Sequence, residues 1–115
     1  MQTKTFEELL LEAIDNALTS LGETAKKSIY FHLQKKFKIA KQDIPENIEE
    51  FTSGLGKIFG IGAKYIEILI MKQIYQRIGQ PLEWSEDKEL VFSEYVNAAR
   101  KSFSKKQNTH KSLKN

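Results

Sequence analysis

The stretch 58–69, IFGIGAKYIEIL, gathers the residue types that a phosphate-binding turn needs. Gly60 and Gly62 bracket one apolar residue and let backbone amides come close to an anion. A helix starting behind them aims its N-terminal N–H groups at the same point. Lys64 stands two residues on, where an ammonium adds a charge-assisted contact. A second reading needs no ligand: the glycines close a tight turn between packed helices, and Ile66 and Leu69 anchor the second one.

This spacing resembles the turn of a helix-hairpin-helix nucleic-acid-binding motif. The resemblance implies a phosphate cradle at Gly60 and Gly62 with Lys64 as its base. The chain departs from that pattern at Phe59, where such motifs often show proline, and at Ile66, where a small residue lets the helices approach. Glu67 opposes phosphate if it faces the same way. Lys26, Lys27, Lys35 and Lys36 extend the candidate nucleic-acid surface, and Tyr30, Phe31 and Phe37 lie among them, the pairing on which single-stranded bases stack. The competing reading places Ile29, Leu33 and Phe37 on one inward stripe.

Other chemistry is poorly provided for. The chain has no cysteine, which excludes disulfides, thiolate metal sites and thiol catalysis. His32 and His110 lie in different contexts without ligand spacing, so no metal site and no cofactor are expected. Glu49 with Glu50 and Glu86 with Asp87 are adjacent carboxylates that point different ways on a helix and read as solvated charges. In GLGKIFG, starting at Gly54, the lysine comes too early for a nucleotide-binding loop and the hydroxyl is missing. The expectation is a chain that is not an enzyme.

Charge is unevenly placed. The formal net charge is +3, yet from Arg100 onward there are six basic residues and no acid, which leaves the preceding body near −3. Such a tail attracts nucleic acid nonspecifically or simply keeps the protein in solution. Acidic residues Glu7, Glu8, Glu12 and Asp15 interrupt the apolar pattern at the start, and the run 66–71 is broken by Glu67 and too short for a membrane span. A soluble, cytoplasmic protein without membrane contact is expected.

Apolar spacing predicts an all-α fold, a compact bundle of about five helices, with no run alternating at period two. At 115 residues one domain is expected over 1–103, followed by a basic, flexible tail over 104–115. Phe6 through Leu21 recur at three- and four-residue steps before Gly22, which is placed to end the first helix. Ala25, Ile29, Leu33 and Phe37 mark the second. Ile44 precedes Pro45 and is steered away from helical angles, and Pro45 suits the first turn of a third helix carrying Ile48, Phe51, Leu55, Ile58 and Phe59. Gly54 and Gly56 inside it each cost roughly 1 kcal/mol of helix propensity and permit either a close crossing or a break. The fourth helix, with Ile66, Leu69, Ile70, Ile74, Tyr75 and Ile78, is broad enough to be central, and Gly79 and Pro81 end it. The last is expected to start at an N-cap Ser85 and to carry Leu90, Phe92, Tyr95, Val96, Ala99 and Phe103.

A longer resemblance covers residues 21–79. Leu21, Gly22 and Glu23, then Ile29, Tyr30 and Leu33, the IPE of Ile44, Pro45 and Glu46, Phe51, Leu55, Ile58 through Ala63, Ile66 and Glu67 resemble an archaeal family of small all-helical domains. That family includes the Nitrosopumilus-type output domains proposed at the ends of signal-transduction proteins. The resemblance implies a noncatalytic regulatory or protein-interaction module, with the glycine turn as architecture. With no receiver or sensor domain read ahead of the helices, the chain is expected to depart from a multidomain signalling protein. Self-association through Trp84, Phe92, Tyr95, Val96 and Phe103 is expected, because these offer more apolar surface than a solvated terminal helix needs. The alternative is a nucleic-acid binder using Gly60, Gly62, Lys64, the basic second helix and the tail.

Overall fold

Thr5 opens the first helix through a reciprocal pair of bonds: its hydroxyl accepts from the Glu8 backbone N–H, and the Glu8 carboxylate accepts from the Thr5 N–H. This capping box satisfies two N–H groups that a helix start otherwise leaves open. In the computed structural model, residues 4–83 and 89–114 are described, with side chains through residue 105. The described residues form five helices and no strand: α1 (Phe6–Thr19), α2 (Glu23–Phe37), α3 (Ile48–Phe59), α4 (Ala63–Ile78) and α5 (Phe92–Lys114). The all-α bundle expected from apolar periodicity is the observed architecture.

Helix α4 is the centre of the bundle, with α1, α3 and α5 packed against it and α2 laid against α1 and α3. Its buried stripe explains this position: Ala63, Ile66, Ile70, Met71, Ile74 and Ile78 recur at helical spacing and meet Leu10, Ile14, Leu18, Phe51, Leu55 and Phe92 in one core. Gly79, at φ 70°, closes α4 in the left-handed conformation expected of it.

Four boundaries differ from the sequence reading. Ser20 caps α1, and Gly22, at φ 108°, stands at the N-cap of α2 instead of ending α1. Ile44 and Pro45 belong to a separate 3-10 turn, Lys41–Glu46, and α3 begins only at Ile48. Burial of Ile44 and Pro45 draws that turn onto α1, and proline's missing N–H is tolerated in so short a piece. The last helix starts at Phe92, because residues 89–91 are non-helical: Leu90 is buried and its carbonyl accepts from Lys64. Residues 85–88 of the expected start lie outside the described residues. Beyond Phe103 the helix runs on to Lys114 through the segment expected as a flexible tail. No glycine or proline interrupts it there, and lysine, glutamine and serine sustain a helix once it is nucleated.

The two glycines of α3 have different roles. A β-carbon on Gly54 would stand 2.8 Å from Leu33 Cδ2, whereas one on Gly56 would meet open space. Gly54 is thus where α2 and α3 cross closely, and α3 continues unbroken through both.

Candidate binding surfaces

The turn between α3 and α4 keeps Gly60, Gly62 and Lys64 together, but their groups face other duties. Gly60 adopts φ 60° and ψ −133°, a region essentially closed to residues with a β-carbon. Its N–H donates to the Gly56 carbonyl, and the Ala63 N–H turns back to the carbonyls of Gly60 and Ile61. Two of the amides that a phosphate cradle would use are therefore occupied inside the turn. The Lys64 ammonium reaches the Leu90 carbonyl at 2.7 Å, tying α4 to the approach of α5. What the turn displays is apolar: Ile61 is 97% exposed at its tip, flanked by Tyr65 at 63% and Phe59 at 38%.

On α2 the lysines and aromatic residues sort into two groups. Asp15 of α1 gathers the Lys26 ammonium at 3.3 Å, the Lys41 ammonium at 3.1 Å and the Tyr30 hydroxyl at 3.0 Å. Partial burial pushes the Asp15 carboxyl up, but the bonds from Lys41, Tyr30 and Lys26 outweigh it and hold the group below the ordinary aspartate value. Burial, aided by the Asp15 charge, pushes the Tyr30 hydroxyl far up, so it remains a proton donor. Tyr30 and Phe37 pack against the core and Lys26 is paired, which removes them from a nucleic-acid surface. Phe31 is the aromatic residue left outward, 58% exposed, with the Lys35 ammonium 5.4 Å from its ring centroid. Lys27, Phe31 and Lys35 follow at four-residue steps on one exposed stripe, and Lys36 is exposed beside it. His32 meets the Phe31 ring edge-on at 5.8 Å.

The apolar surplus expected on the last helix is spent within the chain. Phe92 and Val96 are core residues. Tyr95 is partly buried and its backbone carbonyl accepts from the Tyr75 hydroxyl at 2.9 Å, while Phe103 lies 5.8 Å from Phe6, centroid to centroid. Arg100 stacks on the other partner of that pair, its guanidinium 4.9 Å from the Phe6 ring, and bonds Glu7 of α1. Of the proposed interface, Phe92 and Val96 are withdrawn by burial, Tyr95 and Phe103 are half-covered, and Trp84 lies outside the described residues.

Glu67 was missed as a site residue. It is 2% exposed, and its Oε1 has no hydrogen-bond partner among the described residues. Burial pushes its carboxyl above the ordinary glutamate range, with the nearby Lys64 charge opposing part of that rise. It lines an open cleft of about 310 Å³ between α3, α4 and the residues leading into α5. The signal was in the periodicity: position 67 is four after Ala63 and four before Met71, on the same stripe as the buried isoleucines.

In comparisons with known proteins, the chain matches no family model, no curated protein and no solved structure. Among the described residues no helix is long and apolar enough to cross a membrane, and no group of three histidine or acidic side chains is placed to hold a metal ion.

Proposed function

We propose that the chain is a noncatalytic interaction module whose contact surface is the turn between α3 and α4, and whose first partner is a second copy of itself. Exposure of Ile61 at the tip of a turn held by Gly60 is the observation that carries this reading. A large apolar side chain almost wholly in water, with two aromatic neighbours, forms a patch that association would cover. The patch also suits a two-fold contact, in which a surface meets itself. The basic stripe on α2 would meet its own like charge in such a contact, whereas Lys64, just past the turn, turns its ammonium to Leu90. The resemblance of residues 21–79 to archaeal signal-transduction output domains supports a regulatory role for such a module, within the cytoplasm.

Sedimentation over a range of protein concentrations tests it. The wild-type chain should move from monomer to dimer, and Ile61→Asp should stay monomeric with unchanged helical circular dichroism. A wild-type chain that is monomeric throughout, or an Ile61→Asp variant that dimerises equally, overturns the self-association.

A second reading has its own observation in the exposed Phe31 between Lys27 and Lys35, which suits a base stacked beside two phosphates. Fluorescence anisotropy with a labelled oligothymidine at low and near-physiological salt addresses it. Phe31→Ala should weaken binding, Lys35→Ala should reduce the salt slope by about one, and Lys64→Glu should change little. Loss of binding with Lys64→Glu but not with Phe31→Ala would return the glycine turn to the phosphate.

A further inference from the structure

We propose that the open cleft lined by residues 89–93 binds a primary ammonium group, held at its floor by the Glu67 carboxylate. The inference is independent of the Ile61 surface. Glu67 brings a carboxyl into the bundle on the buried stripe of α4, and among the described residues nothing donates a hydrogen bond to its Oε1. An acceptor in that condition costs on the order of 1–3 kcal/mol unless something donates to it. Among the described residues, Lys64 lowers the Glu67 value by its charge but commits its ammonium to the Leu90 carbonyl and forms no ion pair with Glu67.

The chemistry of the walls selects the guest. Among the described residues, Glu49, Glu67 and Glu89 line the cleft with Lys64, and this acidic excess favours a cation. The Thr52 hydroxyl donates to the Ile48 carbonyl at 2.8 Å, which leaves its oxygen lone pairs as acceptors. A primary ammonium offers three N–H donors to such acceptors, whereas a quaternary ammonium offers none. Leu90, Val91 and Phe92 contribute apolar wall suited to a short alkyl chain. The cleft, about 310 Å³ and open to solvent on one side, has room for a small amine or for one lysine side chain of a partner.

The test is a titration of the isotope-labelled chain followed by amide NMR, with n-butylammonium chloride as probe and tetramethylammonium chloride and sodium chloride as controls at equal ionic strength. Saturable shifts confined to amides around 64–67 and 89–93, seen with n-butylammonium alone, are expected. Glu67→Gln, which keeps the shape and removes the charge, should weaken that binding at least about tenfold while its resting spectrum shows an intact fold. A blocked Gly-Lys-Gly peptide binding more tightly than n-butylammonium assigns the ammonium to a protein partner, and the reverse order assigns it to a free amine. Equal shifts with tetramethylammonium, no saturable shift, or undiminished binding by Glu67→Gln would overturn the proposal.

Discussion

Gly54 and Leu33 meet so closely that a single added carbon on the glycine would lie 2.8 Å from Leu33 Cδ2. Leu33 is fully buried, so it has no room to give way without disturbing the core. Gly54→Ala should gain about 1 kcal/mol of helix propensity and lose roughly 1–3 kcal/mol to overpacking. Gly56→Ala, with open space around the new methyl, should keep the gain. In urea unfolding Gly56→Ala is expected to be the more stable of the two variants.

The glycines of the next turn divide in the same way for a backbone reason. Gly60→Ala forces a β-carbon into a region costing on the order of 1–3 kcal/mol. Gly62 has φ −65°, and a β-carbon there would touch Phe59 Cβ at an ordinary 3.7 Å. Thermal unfolding should show Gly60→Ala clearly destabilised and Gly62→Ala at or above the wild-type midpoint. If both were equally harmful, something besides turn geometry would be holding Gly62.

Helix number, the central place of α4 and the inward stripe of α2 were legible because each rests on many apolar residues at one period. The individual site residues depended on single contacts. Nothing in the order of residues says that Lys64 bends to a carbonyl 26 positions away or that Asp15 collects Lys26, Tyr30 and Lys41. The last helix misled for a related reason: Phe92 and Val96 looked surplus until α4 supplied the surface that buries them. Glu67 could have been placed by periodicity, since it shares the stripe of Ala63 and Met71, but in the sequence it reads only as a charge that interrupts the apolar run and would oppose a phosphate.

Stability should depend on pH through Glu67 and Asp15 with opposite signs. Burial raises the Glu67 value in the folded chain, so the stability its neutral form contributes is complete below the ordinary glutamate range and is lost as pH climbs through the raised value. Glu67→Gln removes this loss. Its advantage over wild type should grow from acid to neutral pH and reach roughly 1–3 kcal/mol in urea unfolding. A difference independent of pH would mean that the carboxyl does not titrate abnormally.

Asp15 works the other way. Its carboxyl is held below the ordinary value in the folded chain, so the stability it adds is present above the ordinary aspartate range and lost as pH falls through the lowered value. Asp15→Ala should cost about 1 kcal/mol near neutral pH, mainly from the Tyr30 hydroxyl left without its acceptor. The Lys26 and Lys41 pairs are partly exposed and should add little to that. The penalty should shrink in acid, and a constant penalty from neutral pH to strong acid would place the effect in packing.

Ending the chain after Pro81 removes α5 and part of the core. The cut removes Leu90, Phe92, Val96 and Ala99, all buried against α4 and its neighbours, together with the Leu90 carbonyl that holds Lys64 and the Phe103 ring that meets Phe6. Burying a large apolar side chain contributes about 1.5–3 kcal/mol, so losing several approaches the whole stability of a small domain, roughly 5–15 kcal/mol. The shortened chain should lack a cooperative thermal transition, and aggregation of that species would report exposed core. A chain ending after Lys105 keeps every one of those contacts and should unfold cooperatively near the wild-type midpoint. If the chain ending at Pro81 also melts cooperatively, α5 is an accessory to a core that α1 to α4 complete alone.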